Sequence, residues 1–315
     1  MADEVSPGPD QRSPGPDQRS TVPDRISASV KAAFAHLTGL DPHGVAIKLA
    51  ATVLIVDDRP NLHVMMLRRR ARSEFVGGMM VFPGGGLDPE DADPVVYARV
   101  RGIDDDRASA AVAVERDGLA FWVAVVRETF EECGVLLAST EAGVVPAAAL
   151  DERLAVEQGQ TLLHDVLLRH DLFVDATQMA LIARWLTPVG PPRRYDTLFF
   201  LCAMPAGQEA TSDNTESEHL EWVRPAEGLE RWRRGEYVML PPTVASLQQL
   251  AQYGSACDML AAYRGGDESW GPAKVVGDER GSYAVLLPGD FGYESATSRT
   301  ESSWVRIPAR EGSGG

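Results

Sequence analysis

Residues 127–135 read Arg-Glu-Thr-Phe-Glu-Glu-Cys-Gly-Val and bring three carboxylates close together. Glu128, Glu131 and Glu132 stand at positions i, i+3 and i+4, which are neighbours on one surface of a helix. Like charges at this spacing repel one another, so the helix needs a cation beside them. Arg127 lies four residues before Glu131 and offsets part of this charge, and a hard divalent ion with oxygen ligands is suited to offset the rest.

The alternative interpretation is a solvated acidic face, which is the usual meaning of a run of charges. The residues before and within the cluster argue against it, because many of them are apolar: Phe121, Val123, Val125, Val126 and Phe130. Gly134 is typical of a helix C-terminus. The carboxylates are therefore expected on the last turns of a largely buried helix, where uncompensated negative charge is costly.

A glycine-rich segment lies upstream, where residues 81–91 read Val-Phe-Pro-Gly-Gly-Gly-Leu-Asp-Pro-Glu-Asp. Glycines allow the backbone to approach a ligand closely. Alone, Pro-Gly-Gly-Gly is more often an ordinary turn. Together with residues 127–135, it resembles the signature of the Nudix hydrolases, Gly-x5-Glu-x7-Arg-Glu-U-x-Glu-Glu-x-Gly-U, in which U is aliphatic. Gly85 matches the first glycine, Asp91 stands at the first acidic position, and Thr129 replaces an aliphatic residue.

An insertion separates the two halves of this motif, because thirty-five residues lie between Asp91 and Arg127 instead of seven. Residues 92–119 contain an Asp-Asp-Asp run and an alanine-rich run, and they are expected to form a polar loop and a short helix on the surface. Such an insertion resembles the Nudix branch that contains the peroxisomal coenzyme A diphosphatase. Three further segments look like the same branch: 192–200, 221–222 and 240–243. The resemblance as a whole covers roughly residues 45–250.

The resemblance implies an α/β fold, namely a Nudix-type α/β/α sandwich around a mixed β-sheet with a helical insertion and a C-terminal extension. Alternating strand and helix patterns agree with a sheet covered on both faces. A hairpin is predicted from strands at Lys48–Val56 and Leu62–Leu67. Further strands are predicted at Leu198–Met204 and Leu220–Val223. Helical periodicity is recognised at Leu150–Leu168, Met179–Trp185 and Thr243–Tyr263.

The domain organisation follows from composition. Residues 1–23 contain the tandem repeat Ser-Pro-Gly-Pro-Asp-Gln-Arg and are predicted to be a disordered tail. Residues 24–263 are predicted to form the Nudix domain. Residues 264–315 are predicted to be a partly disordered C-terminal extension, with one strand at 283–288 and a frayed last dozen residues.

The family roles transfer to matching positions as follows. Glu128, Glu131 and Glu132 would bind Mg²⁺ or Mn²⁺, with the carbonyl of Gly85 near the same ion. Arg127 would hold the carboxylates in register through charge-assisted hydrogen bonds. The glycines Gly84 and Gly85 would also face the substrate.

The general base has two candidates, Glu216 and Glu218, which precede a predicted strand. Nudix enzymes differ in whether the base comes from the signature or from a later loop. Either glutamate is equally explained as a solvated loop acid, so both alternatives stay open.

Arginines near the glycine segment suit the phosphate groups of a nucleotide ligand. The candidates are Arg68, Arg70 and Arg72 before that segment and Arg194 further along. Arginines after an apolar strand also serve to solubilise a sheet edge, and pairing with Asp196 is the competing explanation for Arg194.

Composition narrows the class of partner. The chain has 315 residues, 44% of them hydrophobic, and a net charge of -16, which would repel a nucleic-acid backbone. No apolar run approaches the ~20 residues that span a bilayer. Three widely spaced cysteines indicate a reducing, cytoplasmic setting. The expected partner is a small nucleotide-diphosphate substrate, and a homo-oligomer stays open.

These observations lead to three hypotheses about function. The first is metal-dependent hydrolysis of a phosphoanhydride bond in coenzyme A or acyl-coenzyme A, which gives 3',5'-ADP and (acyl-)phosphopantetheine. The second is a pyrophosphatase for ADP-ribose, NADH or a nucleotide sugar. The third is a Nudix-fold regulator that binds a ligand without catalysis. Retention of all three glutamates and Arg127 speaks against the third, since a pure binder does not need such charge repulsion.

Overall fold

A computed structural model describes the chain over residues 45–70, 77–188, 191, 193–212, 217–264, 268–277, 283–297 and 303–308. The predicted N-terminal tail, Arg72 and Glu216 lie outside these residues. The described strands are β1 (Ile47–Asp58), β2 (Leu62–Arg69), β3 (Met80–Val81), β4 (Gly84–Gly86), β5 (Val100–Arg101), β6 (Val174–Asp175), β7 (Ala180–Leu186), β8 (Arg194–Ala203), β9 (Ser217–Val223), β10 (Glu268–Pro272), β11 (Lys274–Gly277), β12 (Tyr283–Leu286) and β13 (Trp304–Pro308). The described helices are α1 (Pro94–Tyr97), α2 (Asp105–Val112), α3 (Ala120–Cys133), α4 (Ala147–Leu150), α5 (Arg153–Glu157), α6 (Leu163–Arg169), α7 (Pro225–Arg233), α8 (Pro241–Leu250) and α9 (Ala256–Arg264).

The main sheet is mixed and is organised around the predicted hairpin. Strands β1 and β2 pair antiparallel near their turn and then diverge, so that β3 pairs with β2 while β4 pairs with β1. The glycine segment therefore lies in the opening between the two strands, and the amide of Val53 donates to the carbonyl of Pro83 at 2.9 Å. Strand β8 runs parallel to β1, and β9 pairs with the other edge of β2.

Two apolar clusters cover the two faces of this sheet, because side chains alternate along each strand. Helix α3 packs on one face, which is formed by Ala51, Val53, Ile55, Met65 and Leu67. Helices α7, α8 and α9 pack on the other face, which is formed by Leu54, Val56, Val64 and Met66. The α/β/α sandwich predicted from the sequence is confirmed.

Helix α3 carries the acidic cluster and is the helix predicted from the apolar residues before it. All residues from 120 to 127 are buried. The helix ends at Gly134, which has φ +68° and donates its amide hydrogen to the carbonyl of Phe130 at 3.0 Å. Helices commonly end with a residue in the left-handed conformation, and this residue is usually glycine, as the sequence indicated.

The insertion departs from the expectation of a surface loop with a short helix. The helix exists as α2, but Val96, Ala108, Val112 and Leu119 are buried in the same apolar cluster as α3. Helix α1 and strand β5, which pairs with β6, add further structure. The aspartate run is structural as well, since Asp104 caps α2 by accepting from the amide of Arg107 at 2.9 Å. The inner side of the insertion therefore extends the core.

Three helix predictions need correction. The helix predicted at Met179–Trp185 is wrong, because Ala180–Leu186 forms β7 and pairs with β8. Its residues favour helix individually, but pairing and burial in the sheet override that preference. The segment Leu150–Leu168 forms three short helices, α4 to α6, with Gly159 at φ +65° between the last two. The predicted helix Thr243–Tyr263 is two helices, α8 and α9, separated by residues 251–255.

The C-terminal extension contributes to the main sheet. Strand β13 pairs antiparallel with β7 and with β10, and β11 and β12 form a separate two-stranded sheet. The single strand expected at 283–288 is present as β12. The expectation that the last dozen residues are frayed is wrong for Trp304–Pro308, because these residues complete the sheet edge next to β7.

The expectations about membrane spans and about the cysteines can be compared with the described part of the chain. No helix described there combines the length and hydropathy needed to span a bilayer. The three cysteines, which all lie in the described part of the chain, form no disulfide bond; Cys133 and Cys202 are buried and Cys257 is exposed.

We expect Asp105→Ala to destabilise the fold by about 1–3 kcal/mol, because one carboxylate holds the start of α3. Its two oxygens accept from the amides of Leu119 at 2.9 Å and Asp117 at 3.1 Å. The control is Asp106→Ala in the same run, since Asp106 is exposed. Urea denaturation measures both variants, and equal free energies of unfolding would contradict the anchoring role of Asp105.

Candidate active site

The centre of the candidate site is an ion pair between Arg127 and Asp91. The guanidinium donates to both carboxylate oxygens, Nε to Oδ1 and Nη2 to Oδ2, each at 2.9 Å. The side chain of Asp91 is 2% exposed and that of Arg127 is 11% exposed. Such a bidentate, buried pair fixes both orientation and distance. It joins α3 to the 3₁₀ helix Pro89–Ala92 across the insertion.

The free edge of the same guanidinium faces the glutamates. Arg127 Nη1 donates to Glu128 Oε1 at 2.9 Å and to Glu131 Oε2 at 3.1 Å, while Nη2 also donates to the carbonyl of Gly86 at 2.9 Å. The hydrogen bonds expected between Arg127 and the carboxylates are therefore present for Glu128 and Glu131. The guanidinium of Arg127 therefore lies at the junction of α3 and the glycine segment.

The third glutamate and the glycines make direct contacts. Glu132 Oε2 accepts the amide hydrogen of Gly84 at 2.9 Å. A Cβ atom at Gly85 would lie 2.4 Å from Glu128 Oε1, so the carboxylate of Glu128 would have to leave its present position. Gly84 has φ +149°, and a Cβ there would lie 2.3 Å from the carbonyl oxygen of Ala51. The sequence therefore needs glycine at both positions for the carboxylates to approach the backbone.

The end of α3 is closed by a residue that the sequence analysis missed. Arg153, on α5, donates from Nε to the carbonyl of Glu131 at 3.1 Å and from Nη2 to that of Glu132 at 2.9 Å. Its Nη1 donates to Thr211 Oγ1 at 2.8 Å. A cation at a helix C-terminus satisfies the last carbonyls and complements the helix dipole. No local pattern around residue 153 indicates this role, since the contact is formed only by the fold.

Crowding of the carboxylates is visible in the pKa of Glu131, which is raised to about 7 by burial, with the charge of Glu128 adding to the effect and Arg127 opposing it. Burial alone would lower the pKa of the Arg127 guanidinium. The hydrogen bonds to Asp91 and the charges of Glu128 and Glu131 outweigh it, so this pKa is raised. Arg127 therefore stays charged, whereas burial and the charge of Glu128 favour the protonated form of Glu131.

The donor set suits a hard divalent cation, because all three side chains offer carboxylate oxygens. The carboxylate of Glu128 occupies the space beside the backbone of Gly85 that a Cβ atom would otherwise take. Among the described residues, however, no three His, Cys, Asp or Glu side chains already converge as a ligand set. Glu128 and Glu131 point their oxygens at Arg127 instead. Coordination by all three glutamates would require Glu128 and Glu131 to turn from Arg127 Nη1, while Nε and Nη2 of Arg127 retain Asp91.

Glu218 occupies an irregular position in β9. Arg68 lies opposite His219 and Arg69 lies opposite Ser217, so Glu218 has no counterpart on β2 and forms a bulge. Bulges redirect a side chain and are frequent beside active sites. Glu218 is exposed, whereas Ser217 is buried. The other candidate base, Glu216, lies outside the described residues.

The candidate substrate-binding arginines are dispersed. Arg68 is half-buried and lies near Tyr237: burial raises the pKa of Tyr237, and the charge of Arg68 opposes this rise. Tyr237 belongs to the apolar cluster on the face opposite α3, so the structure does not bring Arg68 to the glutamates. Arg70 is exposed just after β2, and Arg72 lies outside the described residues.

Arg194 lies at the start of β8, opposite Ile47 in β1. Its Nε donates to the carbonyl of Thr187 at 3.1 Å. The competing explanation for Arg194 is wrong, because Asp196 pairs with Arg184 through bonds of 2.9 and 2.6 Å. Arg194 and Gly86 pair with residues of β1 that are three positions apart. The two pairing positions are therefore about 10 Å apart along β1.

The middle section of the chain matches a known protein family. A family model described as the NUDT19 Nudix domain matches residues 92–250, which is half of the chain. The matched region begins directly after Asp91 and contains the whole insertion. The insertion is therefore part of the domain that this family shares.

Curated relatives resemble the chain over most of its length. The acyl-coenzyme A diphosphatase NUDT19 of Gallus gallus is 29% identical over 272 residues, which cover 72% of this chain and 71% of that protein. The protein of the same name from Homo sapiens is 28% identical over 269 residues, with the same coverage. Among solved structures, a Nudix hydrolase from Alicyclobacillus acidocaldarius has a TM-score of 0.59 and 28% identity, and the match covers 69% of this chain and 97% of that one.

We expect Asp91→Asn to lower the free energy of unfolding by about 3 kcal/mol, because it removes the charge that compensates buried Arg127. Chemical denaturation followed by circular dichroism measures this loss. Glu90→Gln in the same turn is the control, since Glu90 is exposed and should change stability by less than about 0.5 kcal/mol. If both variants unfolded at the same denaturant concentration, the Arg127–Asp91 pair would not be the anchor of the site.

Proposed function

The chain belongs to the NUDT19 Nudix domain family and is a Nudix hydrolase, and on this premise we propose that it cleaves the phosphoanhydride bond of coenzyme A or an acyl-coenzyme A. The products would be 3',5'-ADP and phosphopantetheine or its acyl derivative. Mg²⁺ or Mn²⁺ would be required. The cytoplasmic setting stays a prediction, which agrees with three cysteines that form no disulfide bond in the described structure.

One observation carries the proposed chemistry: three carboxylates of α3 meet the glycine segment, with Arg127 between them. Glu128 and Glu131 contact Arg127, and Glu132 contacts the amide of Gly84. The proposed substrate rests on the acyl-coenzyme A diphosphatases, which match this chain across 72% of its length. The insertion supports the same assignment, since it lies inside the matched family domain.

Glu128, Glu131 and Glu132 would hold the cation, with the carbonyl of Gly85 beside them. When bound, the divalent ion neutralises phosphate oxygens and lowers the pKa of coordinated water. Arg127 has a positioning role in this scheme, because its bonds to Asp91 and Gly86 hold α3 against the glycine segment. The amide of Gly84 orients the carboxylate of Glu132. Arg153 fixes the carbonyls at the end of the same helix.

Glu218 is our candidate for the general base that takes a proton from water. Its position at a bulge supports this role, because the bulge frees its side chain from the regular alternation of β9. Its exposure allows it to reach water. Glu216 stays the alternative base, since both glutamates belong to one short segment of sequence.

Offered coenzyme A, acyl-coenzyme A, ADP-ribose and NADH with Mg²⁺ or Mn²⁺, the purified protein should release 3',5'-ADP from the coenzyme A compounds. Chromatography of the phosphorylated products measures the reaction. Turnover of ADP-ribose or NADH alone would show that the substrate assignment is mistaken while the hydrolase assignment holds. The control protein is Glu132→Gln, which should lose at least about 100-fold in activity.

Glutamine keeps an oxygen that accepts from the amide of Gly84, so the Glu132→Gln variant should remain folded by circular dichroism. Glu230→Gln is the matched control, because Glu230 is exposed on α7, on the opposite face of the sheet. Titration calorimetry with Mn²⁺ should show weaker uptake only in the first variant. Full activity of Glu132→Gln would contradict the proposal that Glu132 is a ligand of the catalytic metal ion.

For Glu218→Gln we expect kcat to fall by about 100-fold or more, with little change in KM, because the base acts in the chemical step. A base that must be ionised also gives an acidic limb in the pH dependence of kcat, and this limb should disappear in the variant. Glu209→Gln is the control, since Glu209 is an exposed glutamate on a neighbouring loop. A parental pH profile in Glu218→Gln would transfer the role to another group.

A further inference from the structure

The last turn of α3 carries Glu131 and Glu132, two of the three proposed metal ligands. The last four carbonyls of a helix have no hydrogen-bond donor within the helix, so its final turn frays readily. In α3 these carbonyls belong to residues 130–133, and each of them accepts a hydrogen bond. The backbone that carries both glutamates is therefore held at every one of these positions.

Donors from three separate segments satisfy these four carbonyls. Gly134 supplies the first donor from just beyond the helix, and Arg153 on α5 supplies the next two. The carbonyl of Cys133 accepts the amide hydrogen of Thr211 at 2.9 Å. Thr211 lies in the connection between β8 and β9, so a third part of the chain takes part in closing the helix.

The same connection makes a second contact just beyond α3. Gln208 Oε1 accepts the amide hydrogen of Leu136 at 2.8 Å, and Gln208 Nε2 donates to the carbonyl of Leu136 at 2.9 Å. A buried residue needs partners for its backbone groups, and Gln208 supplies both for Leu136. The contacts 208–136 and 211–133 follow each other in opposite order, so residues 208–211 lie antiparallel to residues 133–136.

Arg153 ties residues 208–211 to the end of the helix. Its Nη1 donates to Thr211 Oγ1 at 2.8 Å, while its other two nitrogens hold carbonyls of the last turn. The contact passes close to Gly134, where a Cβ atom would lie 3.0 Å from Arg153 Nη1 and 3.4 Å from Thr211 Oγ1. One guanidinium therefore joins α3, α5 and the connection at a single point.

The connection is fixed at its start and leads to the candidate base. Its first residue, Met204, donates its amide hydrogen to the carbonyl of Val56 at 2.8 Å. At its other end it enters β9, whose second residue is Glu218, seven positions after Thr211. One connection therefore contacts the helix of the proposed metal ligands and also continues into the strand of the candidate base.

We propose that Gln208 and Thr211 are positioning residues for the hydrolytic reaction and act through the backbone of α3. They would hold the last turn in the arrangement in which its two glutamates share one cation, in register with the strand that carries Glu218. Neither residue needs to touch the cation, because both are engaged by the backbone at the end of α3. The inference rests on the proposed function, since it concerns the same metal site.

Titration calorimetry with Mn²⁺ on the full chain tests the role of Gln208. Gln208→Met keeps the length of the side chain and removes both hydrogen bonds to Leu136. We expect the Kd for Mn²⁺ to rise by at least about tenfold, because residues that orient metal ligands typically change metal affinity by this factor. Circular dichroism establishes that the variant is folded, and a parental Kd in folded Gln208→Met would overturn the proposal.

Glu209→Gln is the matched control for Gln208→Met. Glu209 is exposed in the same connection, so its replacement removes one surface charge that solvent and salt screen. Its Kd for Mn²⁺ should stay within about twofold of the parental value. An equal rise of the Kd in both variants would contradict a specific role of Gln208.

A double-mutant cycle tests the contact between Thr211 and Arg153. Thr211→Val keeps the backbone amide and removes only the hydroxyl that accepts from Arg153, and Thr211 is exposed, so this variant should fold. We expect it to weaken Mn²⁺ binding by at least about threefold in the parental protein and to have no effect in Arg153→Met, which has already lost the donor. Equal losses in both backgrounds, or no loss in the parental background, would contradict the role of Thr211.

The parental protein separates this inference from the proposed function. Absence of Mn²⁺ uptake by the parental protein would contradict the proposed metal site and the positioning role together. Parental uptake with unchanged affinity in Gln208→Met and Thr211→Val would contradict the positioning role alone and leave the proposed function standing.

Discussion

The arrangement of the candidate active site depends on one guanidinium that must satisfy several negative charges at once. Arg127 uses Nε and Nη2 for the buried carboxylate of Asp91 and Nη1 for Glu128 and Glu131. A lysine would not replace it, because a single ammonium lacks the planar fork that binds a carboxylate at one edge and leaves donors at the other. The same group reaches the carbonyl of Gly86, so helix, turn and glycine segment are joined at one point.

This junction explains how the signature tolerates an insertion. The chain leaves the site at Asp91 and returns along α3, and the Arg127–Asp91 pair fixes the two ends relative to each other. Length between fixed ends adds only slowly to the entropy of closing a loop. The insertion also contributes packing, because Val96, Ala108 and Val112 enter the apolar cluster beneath α3. Its ordered structure therefore offsets part of the cost of the longer connection.

The sequence predicted those features that depend on local pattern. The hairpin, the acidic helix and its end at Gly134 follow from periodicity and from glycine at a helix terminus. It did not predict β7, because Ala180–Leu186 favours helix until pairing with β8 decides its conformation. Arg153 was missed for a similar reason, since its bonds to the end of α3 join residues more than twenty positions apart. Non-local contacts leave no trace in a short window of sequence.

The two segments that distinguish this chain from a minimal sandwich meet at the same edge of the sheet. Arg184 shows the connection, because it pairs with Asp196 on β8 and donates from Nη1 to the carbonyl of Val112 at the end of α2 at 3.1 Å. Strand β13 lies on the other side of Arg184, with Trp304 as its partner in the sheet. Insertion and extension are thus both held against β7, although they lie far apart in the sequence. The sheet that carries the catalytic helix on one face is therefore also the surface on which both additional segments are anchored.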